Sequence, residues 1–172
     1  METVIVSLIC VVLIVMGGMT LSQGFLTSAD NTSVALEEMG TRDKELTMTE
    51  LTPLSAGVDA TGGVVTVMLE NSGQTKLAYF EEWDLIVQYY DDLGQYHTVW
   101  LPYQDAVLSD NQWTISGLYL ESNPESFEPN ILNPGEKVKI QAQINPCVGE
   151  NTTNLLVLCT PNGIPVSTYF IR

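Results

Sequence analysis

The stretch from Thr3 to Ala29 contains no Asp, Glu, Lys or Arg, and this constrains the fold more than anything else in the chain. Val4, Ile5, Val6, Leu8, Ile9, Val11, Val12, Leu13, Ile14, Val15 and Met16 leave no polar stripe at helical spacing. A helix that is apolar on every side has to be buried on every side, in lipid or within a bundle. The run meets the length of about 20 residues that a membrane span requires. Its aliphatic side chains are each worth about 1.5–3 kcal/mol on full burial, so the segment cannot rest in water.

The flanks exclude some uses of such a run. A secretory signal has a basic n-region, a short apolar core and a small-residue cleavage site. Here the run follows Met1-Glu2, the first basic residue is Arg42, and no Ala-x-Ala pattern follows. An ordinary anchor carries Lys or Arg on its cytoplasmic side. The expected explanation is a short basic leader removed on the N-terminal side of Met1. An intact anchor with weak topology signals is the alternative.

Beyond Asp30 the pattern turns amphipathic. Ala35, Leu36, Met39 and Leu46 keep an apolar face, and Glu37, Glu38, Asp43 and Glu45 oppose it. Pro53 bounds the helix, because the residue before a proline disfavours the α region. A helix from about Glu2 to about Glu50 is roughly 70 Å long at 1.5 Å per residue. That is over twice the thickness of bilayer hydrocarbon, roughly 30 Å. Gly17, Gly18 and Gly24 are poor helix formers in water, but small residues permit close approach of backbones in an apolar bundle. The residues expected to pack such a bundle are Val4, Ile5, Leu8, Ile9, Val12, Val15, Met16, Met19 and Phe25.

From Gly57 onward the period becomes two. Val65, Val67 and Leu69 alternate along one strand, and Trp83, Leu85, Val87 and Tyr89 along the next. Tyr96 to Leu101, Gln112 to Glu121, Thr153 to Thr160 and Ile164 to Ile171 read as further strands. The cleanest alternation is Val138, Ile140, Ala142 and Ile144 against Lys137, Lys139, Gln141 and Gln143. Asn133-Pro134-Gly135-Glu136 before it is a strong turn signal. Seven or eight short strands divided by turns predict an antiparallel immunoglobulin-like sandwich. The fold class is therefore α+β, with a filament-core or membrane helix over 1–52 and a β-sandwich over 53–172.

A net charge of −15 with six basic residues argues against nucleic acid as a partner, since phosphate binding needs Lys and Arg. Of the three cysteines, Cys10 lies in the apolar run, while Cys147 and Cys159 are the candidate pair for a disulfide across one hairpin, with free thiols the alternative. The single histidine, His97, has no adjacent nucleophile or second His and reads as structural. Glu81-Glu82 and Asp91-Asp92 read as solvated turn carboxylates rather than a cation site. Trp83, Trp100 and Trp113, with Tyr89, Tyr90, Tyr96 and Tyr103, read as core in preference to a sugar platform. No catalytic residue, metal site or cofactor is expected. Asn151-Thr152-Thr153 and Asn31-Thr32-Ser33 are sequons, making Asn151 and Asn31 glycosylation candidates.

This layout resembles the archaellins, the archaeal-type flagellins, whose N-terminal segment is similar to that of type IV pilins. The stretch from Val64 to Gly73 resembles the strand-then-turn opening of such a domain. Asn133-Pro134-Gly135-Glu136 before Val138 resembles a turn that these sandwiches carry. Trp83-Asp84-Leu85-Ile86-Val87-Gln88-Tyr89-Tyr90 and His97-Thr98-Val99-Trp100-Leu101-Pro102-Tyr103 resemble archaellin-like sequences of some bacteria. Bacterial pilins carry Glu at the fifth mature position, where this chain has Ile5, which favours archaellin if Met1 is the mature start.

The resemblance implies a leader cut by a prepilin-type peptidase. It further implies helices drawn from the membrane into a helical homopolymer and sandwiches coating an extracellular filament that a motor rotates for swimming. The alternative is a single-pass anchored sandwich acting as a stator or adhesion-pilus component of the same kind of machine. A carbohydrate-binding module or enzyme is a third and weaker reading.

Overall fold

The computed structural model describes residues 2–105, 107–121 and 123–172, and the side chain of Glu2 is not among what it describes. The expected processing site on the N-terminal side of Met1 lies outside the described residues. The chain divides into two compact units, Met1–Lys44 and Glu45–Arg172.

Helix α1 runs from Glu2 to Met48, 47 residues without interruption. It is rich in Val and Ile, which are mediocre helix formers in water. In an apolar medium the balance changes, because a helix satisfies every interior backbone group within itself. The helix stops at Met48, short of the expected Glu50. The Met48 carbonyl accepts from Gln74 N at 2.7 Å and Thr75 N at 3.3 Å, so the loop that carries these two residues caps the helix end. Thr49 is buried behind this cap, donating to Glu45 O at 2.8 Å and accepting from Asn162 Nδ2 at 2.9 Å.

Among the described residues the remainder forms nine strands and one short 3-10 turn. β1 (Leu51–Val58), β2 (Val64–Asn71), β7 (Glu136–Gln143), β5 (Gln112–Leu120) and β6 (Asn123–Pro124) make one sheet in that order. β4 (Tyr96–Leu101), β3 (Asp84–Tyr90), β8 (Thr153–Cys159) and β9 (Pro165–Ile171) make the other. All neighbours are antiparallel. Apart from the two-residue β6, this is the strand order of an immunoglobulin-type sandwich with one added strand beside the CFG sheet.

β1 corrects the expected boundary at residue 53, since Pro53 sits inside a strand. Proline lacks the N–H that a central strand needs, and β1 tolerates it as an edge strand. The register shifts between Pro53 and Ser55, and Leu54 turns outward, 45% exposed.

Inward positions alternate as expected. Val65, Val67 and Leu69 of β2, Leu85, Val87 and Tyr89 of β3, and Val138, Ile140 and Ala142 of β7 are all buried. Trp113, Leu156, Leu158 and Phe170 close the space between the sheets. The Asn133–Glu136 turn forms as its residues require: Pro134 is followed by Gly135 at φ 82°, and Glu136 N donates to Asn133 O at 3.1 Å. Pro then Gly at these positions is the signature of a type II turn. Buried Asn71 fastens the adjacent loops by donating to Thr75 O at 2.8 Å and Leu132 O at 3.0 Å.

Gly73 is the point of closest approach. A Cβ there meets Glu50 N and Met48 O, each at 2.5 Å. Both are backbone atoms that cannot rotate away. Gly73→Ala is expected to destabilise the sandwich by about 1–3 kcal/mol, the usual range for overpacking. Denaturant unfolding followed by tryptophan fluorescence measures it; an unchanged midpoint counts against this account of the helix cap.

Candidate functional site

The surface that sets this chain apart from an ordinary sandwich is α1 itself. Every large apolar residue from Val4 to Leu26 is exposed, from 48% at Val12 to 77% at Leu21. The nine residues expected to pack a bundle, Val4, Ile5, Leu8, Ile9, Val12, Val15, Met16, Met19 and Phe25, are all among them. Cβ atoms placed on Gly17, Gly18 or Gly24 meet no atom within 4 Å, so these positions are open flats along the rod.

Three hydroxyls of the rod are turned inward on its own backbone. Ser7 donates to Val4 O at 2.9 Å, Thr20 to Gly17 O at 2.9 Å and Thr27 to Gln23 O at 3.0 Å. Such back-bonding satisfies a hydroxyl without a partner helix. The segment passes the length and composition test for a membrane span. Its exposed aliphatics represent tens of kcal/mol of gross driving force, at about 1.5–3 kcal/mol each.

In the sandwich the expected sites separate. Asn151 lies in the exposed connection between β7 and β8 at φ 58°, its N–H donating to Arg172 O at 2.7 Å. Asn31 lies on the exposed surface of α1, where the hydroxyl of its neighbour Thr32 is already bonded to Ser28 O.

The candidate disulfide is not formed: Cys147 and Cys159 are free. Cys159 pairs with Asp84 at the start of β3, whereas Val148, next to Cys147, bridges Asp91 just beyond the end of β3. At about 3.3 Å per residue those positions are about 20 Å apart. A disulfide needs Cα atoms within about 7 Å.

Asp91 is buried, not solvated as expected of a turn carboxylate. It accepts from Leu93 N at 2.9 Å, Gln95 N at 2.8 Å and His97 Nε2 at 2.8 Å. The His97 bond is the largest of the influences holding its carboxyl below the usual carboxylate range. His97 also stacks on Tyr89, with ring centroids 5.1 Å apart. Asp92 instead pairs with Arg172 at 3.0 Å. Among the described residues no group of three or more His, Cys, Asp and Glu is placed to hold a metal.

The aromatic residues divide in two. Trp83, Trp113 and Tyr89 are core, and Tyr103 packs edge-on against Trp113 at 4.9 Å. Trp100, Tyr96 and Tyr90 are not core; they are 57%, 55% and 44% exposed on the outer face of the β4-β3-β8-β9 sheet. Their phase was readable, since Tyr96, Thr98 and Trp100 alternate with the inward Val99 and Leu101. Tyr79, which sequence reasoning did not single out, adopts φ 53° and lines an open cleft of about 650 Å³ with Phe80, Glu81 and Tyr103.

No protein-family profile and no curated protein matches the chain. Solved structures do. The archaeal flagellum of Methanospirillum hungatei is similar over 96% of this chain and 90% of its own, at 10% identity and TM-score 0.64. The archaellum periplasmic stator protein FlaG of Sulfolobus acidocaldarius is similar over 71% of this chain and 99% of its own, at 24% identity and TM-score 0.51. A chain of the FlaF–FlaG stator complex from the same organism is similar over 71% of this chain and 89% of its own, at 26% identity and TM-score 0.51. The match over 96% of the chain cannot be reached without α1. In fold the chain is like the archaeal flagellum, a long apolar helix leading into an antiparallel two-sheet sandwich.

Tyr89 supplies a test of the core beside Asp91. Burial, then the charges of Asp91 and Cys147, push its hydroxyl up to about 12. An unfolded tyrosine ionises near pH 10. Between those values the native state holds a proton that the unfolded state has lost, so stability falls as pH rises. Thermal unfolding is expected to show this loss from about pH 10 upward. Tyr89→Phe is expected to flatten that slope, and an identical alkaline slope in both proteins contradicts it.

Proposed function

We propose that the chain is a structural subunit that self-assembles through α1 into an extracellular helical filament serving swimming motility. The observation that carries this reading is the apolar surface of α1, exposed all round from Val4 to Leu26 at one end of a 47-residue rod that is far longer than a bilayer is thick. A span explains about 30 Å of it. Packing against identical rods gives the amphipathic remainder cover for its Ala35, Leu36 and Met39 face, and the glycine flats of the apolar run suit close helix contact. The similarity in fold to the archaeal flagellum supports the same reading. Before assembly the rod resides in the membrane; afterwards its neighbours are copies of itself.

The role is structural, without a catalytic step or a cofactor. The partners implied are a prepilin-type peptidase and the assembly and rotation motor. Asn151, exposed in a loop, is the better placed of the two glycan acceptors, with Asn31 the second. Similarity to FlaG and to the FlaF–FlaG complex favours a second reading, an anchored stator sandwich.

Val12→Asp places a carboxylate on the rod, at a cost of about 2.5–3.5 kcal/mol at a helix centre in lipid. It is expected to abolish filaments seen by electron microscopy while circular dichroism still reports a folded sandwich. Normal filaments from this variant refute the proposal. A wild-type particle of fixed low stoichiometry in detergent, in place of a helical polymer, establishes the stator reading instead. Glycan attachment is checked separately: native protein is expected to carry excess mass on the Asn151 peptide, lost in Asn151→Gln.

A further inference from the structure

The two outer faces of the sandwich differ in charge. The face of the β1-β2-β7-β5-β6 sheet carries Glu70, Lys137 and Lys139. The outward positions of β4, β3, β8 and β9 carry one acidic residue, Asp84, and no Lys or Arg. In a chain of net charge −15 this is a neutral window. It is also the aromatic one: Trp100, Tyr96, Tyr90, Tyr169 and Ile171 stand on it, the last two 70% and 67% exposed.

These side chains are held in place. Trp100 Nε1 donates to Asp84 Oδ1 at 2.8 Å, and Tyr96 OH to Gln88 Oε1 at 3.0 Å. The Tyr90 and Tyr96 rings lie 5.2 Å apart. Rigid aromatics lose little freedom on contact, which is the character of interface anchors. Contiguous apolar patches of this kind on a soluble face mark interaction sites.

We infer that this face is where the sandwich of a second copy of the same chain docks. The inference rests on the filament reading. Two features select that occupant. Copies that meet through two strongly acidic surfaces set carboxylate against carboxylate, whereas a face that brings one carboxylate and no base adds little repulsion whichever patch of the neighbour it meets. The area points the same way. Four strands at about 4.8 Å spacing and about 7 residues at 3.3 Å give about 400–450 Å². A stable partner arriving free from solution needs about 800 Å² on each side. A neighbour tethered by its own helix in the same assembly needs much less, because tethering replaces solution concentration with an effective one in the millimolar range.

The test uses the full-length chain. Trp100→Asp and Tyr169→Asp alter exposed side chains and are expected to raise the concentration needed for filament assembly ten-fold or more, with the circular dichroism of the sandwich unchanged. Thr66→Asp, the same charge change on the other sheet, is expected to leave assembly within two-fold of wild type. A benzophenone amino acid in place of Tyr96 is expected to give, on irradiation, a band of twice the chain mass whose mapped partner peptide belongs to the same sequence. Wild-type assembly by both aspartate variants, or photoproducts formed only with lipid or another protein, overturns the inference. If Val12→Asp abolishes filaments while Trp100→Asp and Tyr169→Asp do not, the face is wrong and the filament reading stands. Indifference to all three removes the filament reading itself.

Discussion

A rod with apolar side chains on every side must be covered on every side, and nearly everything else about this protein answers to that requirement. Water cannot cover it, and the large apolar residues from Val4 to Leu26 are all exposed. What remains is lipid or other rods. The driving force is non-directional and scales with area. It therefore commits α1 to an apolar neighbourhood without saying which one, and the geometry of the rod bears on that choice.

The sandwich is organised for the opposite solvent. Its core is conventional, with alternating strands enclosing Trp113, Tyr89, Phe170 and a set of aliphatics. Its polar devices hold loops: Asn71 and Asp91 are buried and spend their hydrogen-bonding capacity on turns. The same architecture occurs in the archaeal flagellum and in archaellum stator proteins. Fold does not by itself assign role. What divides the two is symmetry: a filament repeats a contact between unlike patches, whereas a closed pair uses one patch twice.

Much of this was legible in the sequence, for local reasons. The charge-free run announces α1, and the alternation of Val138, Ile140 and Ala142 announces β7 with its faces assigned. Pro134-Gly135 specifies its turn because few other residues accept those dihedrals. The misreadings were non-local. Pro53 looked like a boundary because a strand that tolerates proline has to be an edge, and edges are decided by pairing. Cys147 and Cys159 looked like neighbours because both flank β8, while the register of β3 sets them at opposite ends. Residue type puts Trp100 and Tyr96 in the core, whereas their phase along β4 puts them on the outer face. Asp91 seemed solvated because the protein atoms that bury it are not all local: Val148 bridges to it from a distant loop.

The hydroxyls of α1 have a mechanical consequence. Ser7, Thr20 and Thr27 keep their protons for their own backbone, so these three hydroxyls donate nothing to a neighbour. Rods packed at those positions, as the proposed filament requires, would hold there by contact area. A small axial slip exchanges one set of methyl contacts for another and breaks nothing. A cable spun from such strands would yield under bending without fraying, because adjacent strands could creep past one another along their apolar lengths.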